Sequence, residues 1–345
     1  MVRRDWLTTA IEAQAGHRNP PATTQFVSPA VQDITGNLRS RISPMARSIP
    51  FGSRSTADQV LAGIDLSHQR VVITGCNSSI GFETMKALSA NGARIIGMAR
   101  TLADAQAACS AAGRSPTPLG CDPTDLASVE AAVESIRSLW GSVDAVIINS
   151  FELQCFADHI AQFVLVNRLV ELVRYRTGRI AIGSNDASMK EAPVENVLFD
   201  NLGDERIYDS QSFHGQAKLA TALFAKELSR RLEVRGVMVN AFHSGTTGNL
   251  NSREPRHAAQ RLIESLMRCF TKSPAQHAAT PALLAASPLA VGITGEYWSN
   301  CQIARSNPLF SDAGLAKRLW DVSAQIAAMT AGRANSSQAI WLGGS

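Results

Sequence analysis

Residues 71–82, Val-Val-Ile-Thr-Gly-Cys-Asn-Ser-Ser-Ile-Gly-Phe, constrain the fold of this chain more than any other stretch. A run of β-branched residues ends in a turn marked by glycine, and the turn opens into a helical pattern. A strand, a tight turn and a helix N-terminus in this order direct backbone N–H groups at an anion, and small residues let the anion approach. The stretch therefore predicts a turn that binds the pyrophosphate of a dinucleotide.

From about residue 68 the chain alternates apolar strand-like runs with helical patterns. The predicted strands are 70–74, 93–98, 117–121, 143–149, 178–183 and 237–242. The predicted helices between them are 80–91, 102–112, 126–139, 156–175 and 212–232. Because the strands are apolar throughout, we expect both faces of the sheet to be covered. The alternation predicts an α/β fold with a doubly wound, parallel sheet of the Rossmann type.

The organisation of the chain is predicted to be one large domain at 53–335 behind an N-terminal extension at 1–52. The extension is rich in Pro, Ser, Thr and Gln, which favours a partly disordered segment. Ser55 and Asp58 have the spacing of a capping box for a short helix that ends near Gly63. The C-terminal part adds predicted helices at 256–270, 275–286 and 312–331, and a short strand at 295–298.

The composition limits the kinds of partner and compartment that we expect for this protein. The net charge is +4 without a concentrated basic block, so nucleic-acid binding is not expected. No run approaches the roughly 20 apolar residues of a membrane span, and no secretory signal is recognisable, which predicts a cytoplasmic protein. Peripheral membrane contact stays open, because residues 4–13 fit a short amphipathic helix. The six cysteines form no C-x-x-C pair, so we expect reduced thiols and no metal site.

The turn at 74–81, Thr-Gly-x-x-x-Ser-x-Gly, resembles the Thr-Gly-x-x-x-Gly-x-Gly turn of the short-chain dehydrogenase/reductase family, with Ser79 at the middle glycine. The resemblance extends from about 54 to 325 and is nearest to the retinol dehydrogenase and WW-domain oxidoreductase branch, although no WW module is visible. The segments that carry it are 81–84, 218–228, 270–273, 295–301 and 319–320.

The resemblance implies a bound nicotinamide dinucleotide. The residues implied to hold it are Gly75, Asn77, Ser79, Ile80, Gly81, Arg100, Asp122, Asn149 and Lys218. Ser79 either weakens binding through its Cβ or donates a hydrogen bond to a phosphate. Ala99 stands where an acidic residue often selects NAD, and Arg100 has the geometry to grip a 2′-phosphate, so NADP is favoured over NAD. Phe151 adds bulk after Asn149, where the family has glycine.

The family's catalytic Tyr-x-x-x-Lys pair has become His214-x-x-x-Lys218. By resemblance, Lys218 binds the nicotinamide ribose, and Ser184 supplies a substrate hydrogen bond, with Asn185 as the alternative. Asp158 falls where the branch usually has a relay Asn. The segment 245–261 corresponds to a substrate lid.

Histidine changes the proton chemistry of this site. It titrates near 6.5 rather than near 10, and a nearby ammonium lowers its pKa further. A neutral imidazole can accept a proton from an alcohol but is a poor donor to a ketone. We expect Asp158 to restore an imidazolium if it pairs with His214. Tyr208 is the only nearby phenol, and it replaces the lost proton donor if its loop enters the site.

Three functions fit these residues. The favoured one is an NADP-dependent oxidoreductase that interconverts a hydroxyl and a carbonyl on an apolar small molecule. The second is a non-catalytic dinucleotide-binding protein with a degenerate site, and the third is a non-redox enzyme that uses the same pocket. Many members of the family assemble as homo-oligomers, and an oligomer is compatible with this chain.

Overall fold

The computed structural model of the chain describes residues 49–114, 116–149, 156–184, 210–243 and 272–342. At 156–158, 210–215 and 330–342 it describes the backbone alone. The strands are β1 (Arg70–Thr74), β2 (Arg94–Ala99), β3 (Thr117–Gly120), β4 (Ala145–Ile148), β5 (Arg179–Ser184), β6 (Met238–His243), β7 (Tyr297–Ser299) and β8 (Gln302–Ile303). The helices are α1 (Ala57–Leu61), α2 (Ser79–Ala90), α3 (Leu102–Ala112), α4 (Leu126–Trp140), α5 (Phe156–Val170), α6 (Ser210–Arg231), α7 (Pro274–His277), α8 (Ala279–Ala286) and α9 (Ala313–Leu342).

The strands form one sheet in the order β3-β2-β1-β4-β5-β6-β7-β8. Every pairing is parallel except that of β7 with β8. The strand order reverses between β1 and β4, and Ile73 on β1 pairs with Gly97 on one side and Ile147 on the other. In such sheets the crevice at the carboxyl ends of the strands beside this switch point is where ligands bind. The predicted doubly wound α/β fold is confirmed.

Helices cover both faces of the sheet. Val71 and Ile73 face a core shared with α1, α2, α3 and α8, whereas Val72 faces a core shared with α4, α5, α6 and α9. Burying alternate residues of β1 in two separate cores requires a strand that is apolar throughout. This two-sided burial explains why the sequence shows continuous apolar runs.

Several boundaries differ from the sequence predictions. The predicted helix 156–175 ends at Val170, because Val173 forms a bridge with Val143 ahead of β4 and cannot continue the helix. The predicted helix 275–286 is divided into α7 and α8, and the helix predicted at 312–331 continues to Leu342. The strand predicted at 295–298 lies at Tyr297–Ser299. The predicted helix 256–270 lies outside the described residues.

The capping box before α1 is shifted by one residue from the predicted pair. Thr56, rather than Ser55, is the N-cap, and its hydroxyl accepts from the N–H of Gln59 at 3.3 Å. The Gln59 side chain accepts from the N–H of Thr56 at 3.0 Å, so Gln59 takes the part predicted for Asp58. The amide oxygen of Gln59 satisfies the N-cap donor, which matches the usual preference for Glu or Gln at this position.

Candidate functional site

The turn between β1 and α2 is closed by the side chain of Ser78. Its hydroxyl donates to the carbonyl of Gly75 at 2.8 Å and accepts from the N–H of Gly81 at 3.0 Å, which makes Ser78 the N-cap of α2. Gly75 has a φ of 61°, a left-handed conformation that favours glycine. These contacts fold the chain back sharply, so that the N-terminus of α2 lies at the carboxyl edge of β1.

Gly81 is required by a close approach within the same turn. A Cβ built on Gly81 would lie 2.1 Å from the carbonyl oxygen of Gly75 and 2.9 Å from the Ser78 Oγ. The first atom belongs to the backbone, so no side-chain rotation can relieve the clash. The second glycine of the motif therefore holds the turn closed.

The closed turn has the chemistry of an anion site. The first N–H groups of a helix have no partner within the helix, and Ser78 satisfies only that of Gly81. The N–H groups of Ser79 and Ile80 belong to the first turn of α2, at the positive end of the helix dipole. Asn77 and Ser79 are exposed, and Ile80 is buried. Ser79 thus projects where a phosphate would approach, and the turn fits a pyrophosphate.

Asn149 ties the ends of β4 and β1 together beside this turn. Its Nδ2 donates to the carbonyl of Thr74 at 3.0 Å, and the Thr74 hydroxyl donates to the carbonyl of Asn149 at 3.4 Å. The Asn149 Oδ1 is buried and has no hydrogen-bond partner among the residues that the structure describes. A buried acceptor without a partner costs free energy unless a ligand or water satisfies it. This atom lies at the switch point, where a cofactor would pass.

The ends of β2 and β3 carry the residues predicted for the adenosine half of a dinucleotide. Arg100 directly follows β2, is exposed, and forms no ion pair with any described carboxylate. The Asp122 Oδ1 accepts from the N–H and the hydroxyl of Thr124, at 3.0 and 2.7 Å, which holds that carboxylate in one orientation. Both side chains belong to the segments that leave the strands at the cofactor edge.

Ser184 and Lys218 are brought together by a direct contact. Ser184 is the last residue of β5, and its hydroxyl donates to the carbonyl of Lys218 in α6 at 2.8 Å. Both residues are buried. The phenol of Tyr297 on β7 donates to the carbonyl of Ser184 at 3.3 Å. Two hydrogen bonds thus hold the end of β5 at the carboxyl edge.

The backbone of α6 places His214 and Lys218 one helical turn apart on an unbroken helix that begins at Ser210. Asp158 lies in the first turn of α5, which packs against α6. The side chains of His214 and Asp158 lie outside the described residues. Several other predicted positions also lie outside them: Phe151, Asn185, Tyr208 and the segment 245–261.

A different histidine is buried next to Asp158. His159 is fully buried, its Nε2 lies 3.1 Å from the Ser323 Oγ in α9, and its ring meets Phe224 edge-on. Burial lowers the pKa of His159 to about 3. The imidazole is therefore neutral at physiological pH, within the core between α5, α6 and α9.

Two residues of the site were missed by sequence reasoning. Ser78 was not singled out, although a serine before a helix, three residues ahead of a glycine, is a recognisable N-cap. Tyr297 belongs to a segment that supported the family resemblance, but nothing in the sequence indicates that its phenol reaches Ser184, 113 residues away. Only the assembled sheet brings these two residues together.

The comparisons with known proteins agree with this geometry. The model of the short chain dehydrogenase family matches residues 69–193. The WW domain-containing oxidoreductase of Drosophila melanogaster is 32% identical over 81% of this chain and 73% of its own length. The chain belongs to the short-chain dehydrogenase family. Retinol dehydrogenase 14 of Mus musculus is 30% identical over 79% of this chain and 90% of its own length, which confirms the predicted branch.

The fold of the family is found in solved structures. A crystal structure of a protein from Mycobacterium paratuberculosis covers 79% of this chain and is itself covered to 97%, with a TM-score of 0.62 and 23% identity. Short-chain dehydrogenases are oxidoreductases that bind a nicotinamide dinucleotide, and the cradle at Gly75–Gly81 fits that group. Among the helices of the described ranges, none has the length and apolar character to cross a bilayer.

Proposed function

We propose that this short-chain dehydrogenase is an NADP-dependent oxidoreductase that interconverts a hydroxyl and a carbonyl on an apolar small molecule. One contact carries this assignment: the 2.8 Å hydrogen bond from the Ser184 hydroxyl to the Lys218 carbonyl. It joins the strand end that borders the cofactor crevice to the helix that bears both His214 and Lys218. The residues for holding a substrate oxygen and for moving its proton therefore belong to one edge of the sheet.

The preference for NADP is supported by the end of β2. Ala99 is buried and Arg100 is exposed, so no carboxylate at these two positions would repel a 2′-phosphate. A guanidinium forms two parallel hydrogen bonds with a phosphate, which makes Arg100 the natural partner. The turn at Ser79 and Ile80 would hold the pyrophosphate, and Lys218 the nicotinamide ribose. NADP, when bound, supplies the acceptor or the donor of a hydride.

A histidine in place of the family's tyrosine favours alcohol oxidation. A neutral His214 imidazole takes the single proton of the alcohol as a general base. The Ser184 hydroxyl, which donates to the Lys218 carbonyl in this structure, rotates to donate to the substrate oxygen as negative charge develops on it. We propose that Asp158 pairs with the imidazolium that forms.

An activity screen with matched variants tests this function. The purified protein is incubated with NADP and a panel of apolar secondary alcohols, and with NADPH and the corresponding ketones. We expect turnover that Lys218→Ala reduces strongly, with alcohols as the better substrates, and a pH–rate profile that Asp158→Asn alters. An unchanged pH–rate profile in Asp158→Asn would contradict the pairing of Asp158 with His214. Turnover that Lys218→Ala leaves unchanged would contradict the proposed site.

A second candidate function is dinucleotide binding without turnover. It is favoured by Ser79 and His214, which replace the middle glycine and the tyrosine of the family's motifs. NADPH binding without turnover on any substrate, followed by gain of activity in His214→Tyr, would favour this second function.

A further inference from the structure

Four large apolar side chains are exposed at the amino-terminal edge of the sheet, opposite the cofactor turn. Leu139, Tyr175, Val234 and Val291 are 57%, 67%, 65% and 51% exposed. They lie in the segments that lead into β4, β5, β6 and β7, which are parallel neighbours. Scattered exposed apolar residues are ordinary, but a row of them along one edge is not.

The segments that carry these side chains contact one another. The N–H of Arg176 donates to the carbonyl of Arg235 at 2.8 Å, which joins the turn of Tyr175 to that of Val234. The Arg235 guanidinium stacks 4.3 Å from the centre of the Tyr175 ring. The N–H of Arg174 donates to the carbonyl of Val143, which ties the same turn to the segment after Leu139. The segments that carry Leu139, Tyr175 and Val234 are therefore adjacent along this edge, with arginines between them.

The other end of this edge is basic. Arg94 begins β2, Arg114 precedes β3, and both line a shallow cavity of about 500 Å³ together with Thr117 and Trp140. The Arg94 guanidinium lies 5.8 Å from the centre of the Trp140 ring. The cavity lining contains no carboxylate. The strand order thus places arginines at the β3-β2 end and apolar side chains at the β4–β7 end.

Ion pairs leave this edge with uncompensated positive charge. Glu171 pairs with Arg137 at 3.3 Å and Asp144 with Arg174 at 2.8 Å, while Asp65 before β1 and Glu233 before β6 add two exposed carboxylates. Four arginines of the edge form no ion pair with any carboxylate of the described ranges: Arg94, Arg114, Arg176 and Arg235. The charge of the edge complements an anionic surface.

We propose that this edge docks on an anionic phospholipid bilayer. Seven parallel strands at about 4.8 Å spacing give an edge roughly 29 Å long, and its apolar groups are single tips of turns rather than the walls of a groove. Such tips, with arginine stems and a tyrosine among them, suit the interface between headgroups and acyl chains. Anionic headgroups attract the unpaired guanidinium groups. The cofactor crevice at the opposite edge would face the water.

Vesicle sedimentation with the full chain tests the docking face. Vesicles of phosphatidylcholine alone are compared with vesicles that also contain phosphatidylserine. We expect binding mainly to the mixed vesicles, and a loss of about fivefold in affinity for each of Arg94→Ala and Arg114→Ala. Tyr175→Ser combined with Val234→Ser should weaken binding about tenfold, because apolar area no longer enters the interface.

Matched controls lie away from this edge. Ile303 on β8 is 51% exposed and Arg305 is also exposed, so Ile303→Ser and Arg305→Ala change the same chemistry elsewhere. These two variants should bind vesicles within twofold of the wild type. Thermal melting and NADPH titration of every variant distinguish loss of docking from loss of fold, and vesicles should not compete with NADPH.

Three results would overturn the docking face. One is wild-type protein that ignores phosphatidylserine, and another is vesicle binding that the edge variants leave unchanged, which would locate the contact elsewhere in the chain. The third is a dimer, seen by sedimentation velocity, that the edge variants abolish in a protein that binds no vesicles. None of these results depends on whether the chain turns over a substrate.

Discussion

Replacing Gly81 with alanine tests how tightly the cofactor turn is closed. The new Cβ would lie 2.1 Å from the Gly75 carbonyl oxygen. This is about 1.4 Å inside a normal non-bonded contact of roughly 3.5 Å. Because the neighbour is backbone, either the Gly75 peptide or the first turn of α2 must move, and both belong to the anion cradle.

The magnitude follows from two opposing effects. Overpacking of this kind costs about 1–3 kcal/mol. Alanine in a helix recovers up to about 1 kcal/mol relative to glycine. Since a backbone atom must yield, we take the upper part of the range and expect a net loss of about 2 kcal/mol in the free energy of unfolding. In a domain of this size, with an unfolding entropy of about 0.6 kcal/mol/K, that corresponds to roughly 3 °C in Tm.

Gly314 provides a matched control, because it also lies in the first turn of a helix. Its added Cβ would meet only the Asp312 Oδ1, at 3.3 Å, and this oxygen need shift by only a few tenths of an ångström while it continues to accept from the Leu315 N–H. Gly314→Ala should therefore leave Tm unchanged or raise it slightly. The assay is thermal unfolding by circular dichroism, together with NADPH fluorescence titration. We expect Gly81→Ala to bind NADPH at least tenfold more weakly, and a variant with wild-type Tm and affinity would refute the closed cradle.

Three further predictions follow from individual side chains. The pKa of His159, lowered to about 3 by burial, means that the unfolded chain binds a proton below about pH 6.5 while the folded chain does not. The free energy of unfolding should therefore fall by up to about 1.4 kcal/mol for each pH unit below 6.5. Urea titrations between pH 7 and 5 should show a smaller pH dependence for His159→Gln, which lacks this titrating group. Burial raises the pKa of the Cys121 thiol to about 12, so its peptide should resist iodoacetamide at pH 8, and rapid labelling in the mass spectrum would contradict this burial. Arg100→Ala should weaken NADP binding at least tenfold and leave NAD binding unchanged in calorimetry, whereas an equal loss for both would exclude contact with the 2′-phosphate.

The parts of the fold that local chemistry determines could be predicted from the sequence. The strand Arg70–Thr74 and the helix Leu102–Ala112 have the predicted bounds, because an apolar β-branched run and a capped helical pattern are each complete within the segment. The predicted end of α5 at Tyr175 is wrong, because the helix ends at Val170. The interaction that stops this helix is a bridge to Val143, which no local pattern contains.

The candidate site also has one part that the local sequence determines and one part that only the assembled fold determines. The turn at Gly75–Gly81 could be predicted because its residues are consecutive and its geometry depends on glycine. The hydrogen bond from Asn149 to Thr74 joins residues 75 positions apart, and that from Ser184 to Lys218 requires β5 to meet α6. Composition and spacing give the residue types at such contacts but not their partners. Only the packing of the sheet determines these partners.

The binding of NADP to the purified chain is the most direct measurement of whether the Gly75–Gly81 turn seats a dinucleotide. Isothermal calorimetry with NADP and NADPH should show one site per chain, with an affinity that Gly81→Ala weakens and Gly314→Ala does not change. No heat for NADP or NAD in either redox form, from protein that melts cooperatively, would contradict a cofactor role for this turn.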